Sequence, residues 1–226
     1  MRNNLVNSKS ENVFVSWSGG KDAYLALLRA QDMGLETTAL LNFQDNSGRS
    51  RSHGLKDDIL TGQARSLNMD LEKEYVDRGN YEAGFEKAVE RLKERGITGG
   101  VFGDINLEEH REWIEKMCQR CGINFYLPLW QMGEREVSEE LLERRGHALI
   151  VSVRNGILED EWLGKLMDKH FLDYCAKIGI SPCGERGEFH TLVVNGTSFE
   201  YPLPYQTGSC WNDEKYTYLP VSIKQE

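Results

Sequence analysis

Strand-like and helix-like patterns alternate along the first 130 residues, and this alternation constrains the fold more than any other feature. Short apolar runs predict strands at residues 13–17, 37–43, 71–76, 99–102 and 124–127. Between them, apolar residues at helical spacing predict helices at residues 22–34, 56–67, 81–95 and 108–121. Right-handed crossovers of this kind place helices on both faces of a sheet. We therefore predict a doubly wound α/β domain with a mostly parallel sheet over residues 1–130.

Residues 131–226 have a different pattern. Helices are expected at residues 136–145 and 159–178, with an apolar strand at 148–153 between them. Strands are expected later, at residues 189–194, 198–201 and 215–223, and Asn195-Gly196 is typical of a hairpin turn. These features predict a smaller α+β lobe packed at the end of the first domain, with the boundary near residues 128–133.

The composition argues against several classes of protein. No run approaches the roughly 18 consecutive apolar residues that span a bilayer, and the first dozen residues are polar, without the pattern of a secretory signal. The 5 cysteines are an odd number and do not form the framework of a small secreted domain. We expect a reduced, cytoplasmic protein without a membrane segment.

The net charge of −9 argues against sequence-independent binding of nucleic acids, which depends on Lys and Arg. Arg49 and Arg51, within residues 48–53, form a small basic cluster in a polar loop. A solvated loop is one interpretation of this cluster, and phosphate contact is the alternative.

The sequence Ser18-Gly19-Gly20-Lys21-Asp22 joins the first predicted strand to the first predicted helix. A helix N-terminus attracts anions because its amide N–H groups are unpaired and the helix dipole is positive there. Adjacent glycines let several N–H groups point into one concavity, which a phosphate can approach closely. Lys21 adds a positive charge, Ser18 adds a hydroxyl, and Asp22 either caps the helix or positions a metal ion. The sequence therefore predicts a phosphate site, the alternative being a plain strand-to-helix turn.

This loop is not a Walker loop, because Val15 occupies the position of the required glycine five residues before Gly20. Ser16, at the end of the strand, is included among the predicted nucleotide contacts.

Gly103 and Asp104 follow a predicted buried strand, where open α/β sheets bind ligands. Gly103 would let a nucleotide approach the backbone, and Asp104 would orient a ribose, an amine or a metal ion. A helix cap is the alternative for Asp104. Arg111 would bind a carboxylate or phosphate, or form a surface ion pair with Glu108 or Glu115.

A second cluster lies between Gly184 and an apolar strand, and it contains Glu185, Glu188 and His190. These side chains could bind an amine, ammonia or a metal ion, or transfer protons. The alternative is a charged turn that enters a β-hairpin. Cys118 and Cys121 could form half of a zinc site or a redox pair, but the same spacing on a helix also arises in a buried core.

The Ser18–Asp22 loop resembles the pyrophosphate loop of the N-type ATP pyrophosphatases, which cleave ATP between its α- and β-phosphates. The rest of the chain is similar to one branch of that superfamily, the diphthine–ammonia ligase family and its bacterial relatives. Three further segments carry the resemblance, at residues 102–105 with His110-Arg111, 128–130 and 184–191.

The resemblance implies an adenine nucleotide alpha hydrolase-like fold and an ATP-dependent ligase that transfers AMP to a carboxylate and then forms an amide. Mg²⁺ is expected because clustered phosphate charge needs a counterion. In this hypothesis ATP and Mg²⁺ are held by Ser16, Ser18, Gly19, Gly20, Lys21, Asp22 and Gly103, with Asp22 toward the metal. The catalytic candidates are Lys21, Asp104, Glu185, Glu188 and His190.

The expected partners are ammonia and a small-molecule or protein-borne carboxylate, and a homodimer is left open. The chain departs from the family pattern at Ala23, where a Ser or Thr is usual, and at Arg186 and His190 in the late motif. Two other hypotheses are a tRNA sulfur-transfer enzyme that uses Cys118 and Cys121, and a non-catalytic nucleotide-binding domain.

Overall fold

A five-stranded parallel sheet forms the N-terminal part of the protein, in the strand order β3-β2-β1-β4-β5. The computed structural model describes residues 10–45, 55–77 and 79–224, so the basic cluster at Arg49 and Arg51 lies outside the described residues. The strands are β1 (Asn12–Ser16), β2 (Glu36–Gln44), β3 (Asp70–Tyr75), β4 (Gly99–Val101) and β5 (Asn124–Tyr126). The order reverses between β1 and β4, which creates a topological switch point at the end of β1.

Four helices connect these strands: α1 (Lys21–Asp32), α2 (Asp57–Ser66), α3 (Tyr81–Glu94) and α4 (Glu108–Cys121). Successive side chains of a strand point to opposite faces of the sheet. On one face of β1, Val13 belongs to a core that includes α1 and α2. On the other face, Phe14 packs in a second core with Phe85 of α3 and Ile114 of α4. Helices thus cover both faces, and the predicted doubly wound α/β fold is confirmed.

The C-terminal part contains a small antiparallel sheet in the order β7-β6-β10-β9 and a separate two-stranded pair of β8 and β11. Its elements are α5 (Glu134–Glu143), β6 (His147–Arg154), a 3₁₀ turn (Asp160–Trp162), α6 (Lys169–Ile178), β7 (Phe189–Asn195), β8 (Tyr205–Thr207), β9 (Trp211–Asn212), β10 (Tyr216–Tyr218) and β11 (Val221–Ile223). The predicted α+β character of this part is confirmed. Among the described residues, no helix combines the length and apolarity needed to cross a membrane.

The prediction of one helix over residues 159–178 is wrong. The backbone at Gly164 has φ +79°, which lies outside the helical region. The amides of Gly164 and Met167 donate to carbonyls of β6 at 2.9 and 2.8 Å, so this stretch follows the sheet. Helix α6 begins only after Asp168, whose carboxylate caps it by accepting from the Phe171 amide at 2.8 Å.

The predicted hairpin at Asn195-Gly196 is also wrong. The chain turns there, with the Phe199 amide donating to the Gly196 carbonyl at 3.0 Å, but residues 198–201 form no strand. Gly196 is needed for packing, because a Cβ atom there would lie 2.1 Å from the Tyr24 hydroxyl. The sequence also predicts a single strand at residues 215–223. The structure has two strands there, β10 before Pro220 and β11 after it, and they belong to different sheets.

The two parts of the chain share one hydrophobic core. Leu25 and Leu27 of α1 belong to the same buried cluster as Ile150 of β6 and Leu192 of β7. A division of the chain near residue 130 remains a prediction. The packing of α1 against β7 is what places the late motif beside the Ser18–Asp22 loop.

Candidate active site

A cavity of about 560 Å³ opens where β1, β2 and β4 end. This position at the carboxyl ends of parallel strands, beside the switch point, is the usual ligand site of an open α/β sheet. Apolar and aromatic side chains form most of its wall, with a few polar groups, which suits a ligand that has a flat apolar part and a charged part. The lining residues that bear on the predictions are Ser16, Ser18, Asp22, Ala23, Gly103, Asp104, His110 and Glu185.

The Ser18–Asp22 loop joins β1 to α1 through a tight turn at its two glycines. Gly19 has φ +85°, a left-handed conformation that favours glycine. Gly20 is the N-cap of α1 and provides no capping side chain, and its amide donates to Ser18 Oγ at 3.2 Å. Ser18 and Asp22 of this loop line the cavity, whereas Gly19, Gly20 and Lys21 do not, so phosphate binding by the loop remains a prediction.

Lys21 has an unexpected orientation. Its side chain is buried, and Nζ donates to both carboxylate oxygens of Asp22, at 2.8 and 2.7 Å. The ammonium group also lies 5.9 Å from the centre of the Phe189 ring in the late motif. Burial by itself lowers the pKa of Lys21, but the negative charge of Asp22 and its hydrogen bond outweigh burial, so the pKa lies above its ordinary value. Lys21 thus stays charged and directs Asp22, which lines the cavity, whereas Lys21 itself does not.

Gly103 and Asp104 lie at the cavity next to α1. A Cβ atom on Gly103 would be 2.9 Å from the backbone carbonyl of Asp22, so this glycine permits the close approach of β4 to the start of α1. The helix-cap alternative for Asp104 is wrong, because the N-cap of α4 is Leu107 and has no side-chain cap. Asp104 Oδ1 instead contacts His110 Nδ1 at 2.9 Å, and both side chains line the cavity.

Arg111 does not line the cavity. Its guanidinium donates to Glu108 at 2.8 Å and lies 5.7 Å from the centre of the Trp130 ring. The ion-pair alternative for Arg111 is therefore confirmed.

Glu185 brings the late motif into the cavity, and its carboxyl has an unusual acidity. Burial, together with the negative charges of Asp22 and Asp104, raises the pKa of Glu185 to about 7, although the positive charge of Lys21 opposes this rise. A carboxyl with such a pKa is half protonated near neutral pH, which suits a group that accepts and releases protons.

Glu188 and His190 are placed differently. Glu188 is buried, and its two oxygens accept hydrogen bonds from the amides of Ser181 and Arg186, at 3.1 and 3.0 Å. These bonds close the loop that presents Glu185. The His190 ring lies 5.6 Å from the Tyr216 ring, and neither Glu188 nor His190 lines the cavity. Direct participation of these two residues in chemistry remains a prediction.

The sequence did not indicate the role of Thr191. Its Oγ1 accepts a hydrogen bond from the Lys21 amide at 3.2 Å, which gives α1 a cap from a residue 170 positions later. Only tertiary structure brings these residues together. Asn42, which also lines the cavity, was likewise missed, although an Asn within an apolar strand is a visible signal.

Within the described ranges, no three His, Cys, Asp or Glu side chains converge on a common metal position. Mg²⁺ needs no such cage, since one or two carboxylates with waters and substrate phosphates suffice. Asp22 and Glu185 line the cavity beside Ser18, and the negative charge of Asp22 raises the pKa of Glu185. A cation bound here would offset this repulsion between the two carboxylates, so the residues present fit a metal ion.

The cysteine pair lies outside the cavity. Cys118 is buried in the core between the sheet and α3 and α4, and burial raises its pKa to about 12. Burial also raises the pKa of Cys121. These thiols are protonated at neutral pH, which disfavours both metal ligation and sulfur transfer.

The fold and the cavity define a doubly wound α/β protein with a ligand-sized cavity at the switch point, beside the N-terminus of α1. Two family models match consecutive parts of the chain: Diphthamide synthase N-terminal domain over residues 11–125, and Diphthamide synthase C-terminal domain over residues 133–222. The chain belongs to the diphthamide synthase family.

Several proteins named diphthine--ammonia ligase are similar to the chain. The protein of Rattus norvegicus is 23% identical, over 91% of this chain and 86% of its own length. The Homo sapiens protein is 23% identical, over 81% of this chain and 78% of its own length. The protein of Schizosaccharomyces pombe is 25% identical, over 81% of this chain but only 34% of its own length.

Proposed function

We propose that the protein is an ATP-dependent ligase that joins a carboxylate to ammonia or another amine and releases AMP and pyrophosphate. The names of its relatives support amide formation with ammonia. The observation that carries the proposal is that Glu185 of the late motif lines the same cavity as Ser16, Ser18 and Asp22. Two residues of the candidate phosphate loop and a proton acceptor of suitable pKa thus line the same cavity, which supports the proposal.

In the first step, a carboxylate oxygen of the substrate attacks the α-phosphorus of ATP. The bond between the α-phosphorus and its bridging oxygen breaks, and pyrophosphate leaves with the electron pair. The first turn of α1, where Asp22 and Ala23 line the cavity, and the Ser18 hydroxyl hold the departing phosphates. When bound, Mg²⁺ supplies positive charge that stabilises the leaving pyrophosphate, and Asp22 is the residue that would hold it.

In the second step, the amine nitrogen attacks the activated acyl carbon, and the bond from that carbon to the AMP oxygen breaks. The nitrogen must lose a proton as the amide forms. Glu185 accepts that proton in its ionised form and returns it to solvent. Asp104, held by His110, lies along the same cavity and orients the amine or the nucleotide ribose.

The carboxylate is either a small molecule or part of a protein. Diphthine is a candidate because it appears in the names of the relatives. Arg186 and His190 stand where the diphthamide-making enzymes generally carry a glycine and an acidic residue, so a different carboxylate is the main alternative.

The proposal is tested by incubating the protein with ATP labelled in the α-phosphate, Mg²⁺, ammonia and a pool of metabolite and protein carboxylates. We expect labelled AMP and an equal amount of pyrophosphate, both dependent on the carboxylate. ADP and phosphate as products would contradict the proposal. No turnover with any pool would also contradict it, and would favour a non-catalytic nucleotide-binding domain.

The Glu185→Gln variant separates the two steps. In a single turnover, we expect one equivalent of pyrophosphate to be released at the wild-type rate while amide formation slows by about a hundredfold, since a general base typically contributes 10²–10⁴-fold. Glu139→Gln is the matched control, because Glu139 is an exposed carboxylate of α5 paired with Arg135. Equal loss of both steps in Glu185→Gln would contradict the assigned role.

The sulfur-transfer alternative makes a different prediction. It requires Cys118, so Cys118→Ser would abolish activity on tRNA. We expect Cys118→Ser to retain ATP-dependent ligation, because the thiol is buried away from the cavity.

A further inference from the structure

Gln63 of α2 is fully buried and makes three side-chain hydrogen bonds to two separate segments, residues 17–19 and strand β7. Its Oε1 accepts from the indole Nε1 of Trp17 at 2.9 Å. Its Nε2 donates to the carbonyl of Gly19 at 3.0 Å and to the carbonyl of Val193 at 2.7 Å. One amide group therefore connects the cavity wall, the Ser18–Asp22 loop and strand β7.

The chemistry of these partners fixes the amide in one orientation. Two carbonyl oxygens need donors, and an indole N–H needs an acceptor. A rotated amide would place its oxygen against both carbonyls. Glutamine satisfies this set, whereas glutamate at the same position has no N–H group to donate.

The Gly19 carbonyl has a second partner in β7, because the Val193 amide donates to it at 2.9 Å. The peptide between Gly19 and Gly20 is trans, so the carbonyl of Gly19 and the N–H of Gly20 point in opposite directions. Fixing the carbonyl toward Gln63 and Val193 therefore fixes the N–H on the other side. There the Gly20 N–H lies 3.2 Å from Ser18 Oγ, and Ser18 lines the cavity.

Gln63 also restricts the loop sterically. A Cβ atom on Gly19 would lie 2.9 Å from Gln63 Oε1 and 2.8 Å from Leu55 Cδ1. The side chain thus holds Gly19 by hydrogen bonding and packs closely against it.

We propose that Gln63 is a positioning residue that orients the Gly19–Gly20 peptide for phosphate binding and connects that peptide to β7. This inference rests on the proposed function, because it assumes that the loop receives the phosphates of ATP. It assigns a role to a residue outside both motifs. Gln63 acts through Gly19 and Trp17 and does not itself line the cavity.

The test compares ligands that differ in phosphate content. Affinities for ATP, pyrophosphate and adenosine, with Mg²⁺, are measured by calorimetry for wild type, Gln63→Glu and Gln63→Met. We expect ATP and pyrophosphate to bind about tenfold more weakly to both variants, as for a lost hydrogen bond to a charged group. Adenosine, which has no phosphate, should bind to within about twofold of wild type.

Ser66→Ala is the matched control. Ser66 is also buried on α2, and its hydroxyl has no hydrogen-bond partner within the part of the chain that is described. This variant should bind all three ligands as wild type does. Thermal denaturation of every variant shows whether it is folded, and Gln63→Met serves if Gln63→Glu does not fold.

Two results would overturn the inference: unchanged ATP and pyrophosphate affinity in both Gln63 variants, or an equal loss of adenosine affinity. Its failure is distinguishable from failure of the proposed ligation. A wild-type protein that binds ATP but forms no amide would contradict the ligation. The affinities of the Gln63 variants for ATP, pyrophosphate and adenosine would then still test the role of Gln63. A wild-type protein that binds neither ATP nor pyrophosphate would overturn both.

Discussion

At the scale of single residues, Glu185 shows how a cavity changes the acidity of a carboxyl. Its pKa rises from the ordinary 4.5 to about 7 because burial and neighbouring carboxylates disfavour the charged form. The folded state therefore binds a proton more tightly than the unfolded chain does. The stability that this group contributes is fully present below pH 4.5 and is lost as the pH rises through about 7.

We predict that Glu185→Gln is more stable than wild type at pH 8 and about as stable as wild type at pH 4.5. Glutamine stays neutral and so avoids the cost of charging the buried carboxyl. Melting temperatures at the two pH values check this prediction, with Glu139→Gln as the control. A variant less stable than wild type at pH 8 would show that the ionised carboxylate is stabilised in the folded state.

Gly103 gives a second prediction at this scale. We expect Gly103→Ala to destabilise the protein by about 1–3 kcal/mol, as overpacking does, because the new methyl would contact the backbone of Asp22 at 2.9 Å. ATP affinity should fall as well, since the start of α1 must move. Urea denaturation and calorimetry measure the two effects. Gly79→Ala is the control, because a Cβ atom there meets nothing within 4 Å, and equal effects of both substitutions would contradict the prediction.

At the scale of secondary structure elements, α1 depends on a cap from β7. Gly20 provides no capping side chain, and Thr191 Oγ1 instead accepts a hydrogen bond from the Lys21 amide. We predict that Thr191→Val, which removes the acceptor but keeps the shape, lowers the free energy of unfolding by about 1 kcal/mol, the usual effect of losing an N-cap. Thr191→Ser should retain most of that stability. Denaturant unfolding checks the difference, and equal values for the two variants would exclude a capping role.

Elements with strong local signals were predictable from the sequence. Helix α4 occupies the predicted residues, Glu108–Cys121, because its apolar spacing is regular and Gly122 follows it in a left-handed conformation. The stretch after Trp162 was mistaken for helix because its pairing with β6 is a tertiary interaction. Likewise, Gly196 allows Tyr24 to pack against the backbone, and the local sequence does not distinguish such a glycine from one in a hairpin turn.

The candidate site was predictable in part for the same reason. The Ser18–Asp22 loop and Asp104 follow strands that end at the cavity, so strand positions alone indicated them. Two features depended on distant contacts and left no local signal: the side chain of Lys21, which points toward Phe189, and the bonds of Gln63 to Gly19 and Val193.

At the scale of the whole molecule, the two family models describe consecutive parts that share one hydrophobic core. We predict that the chain unfolds in a single cooperative transition, with coincident curves from tryptophan fluorescence and far-ultraviolet circular dichroism. A fragment of residues 1–130 would expose the side of α1 that packs on β7 and should lack a cooperative transition. A fragment that melted cooperatively near the full-length temperature would contradict this prediction.

The hydrogen bond from the Val193 amide to the Gly19 carbonyl has a consequence for the order of events during synthesis. The groups that hold this loop, Thr191 and Val193, are synthesised about 170 residues after the loop itself. A nascent or truncated chain would therefore display the loop sequence without a formed nucleotide site. A phosphate site at this loop would form only after residues 191–193 have been synthesised.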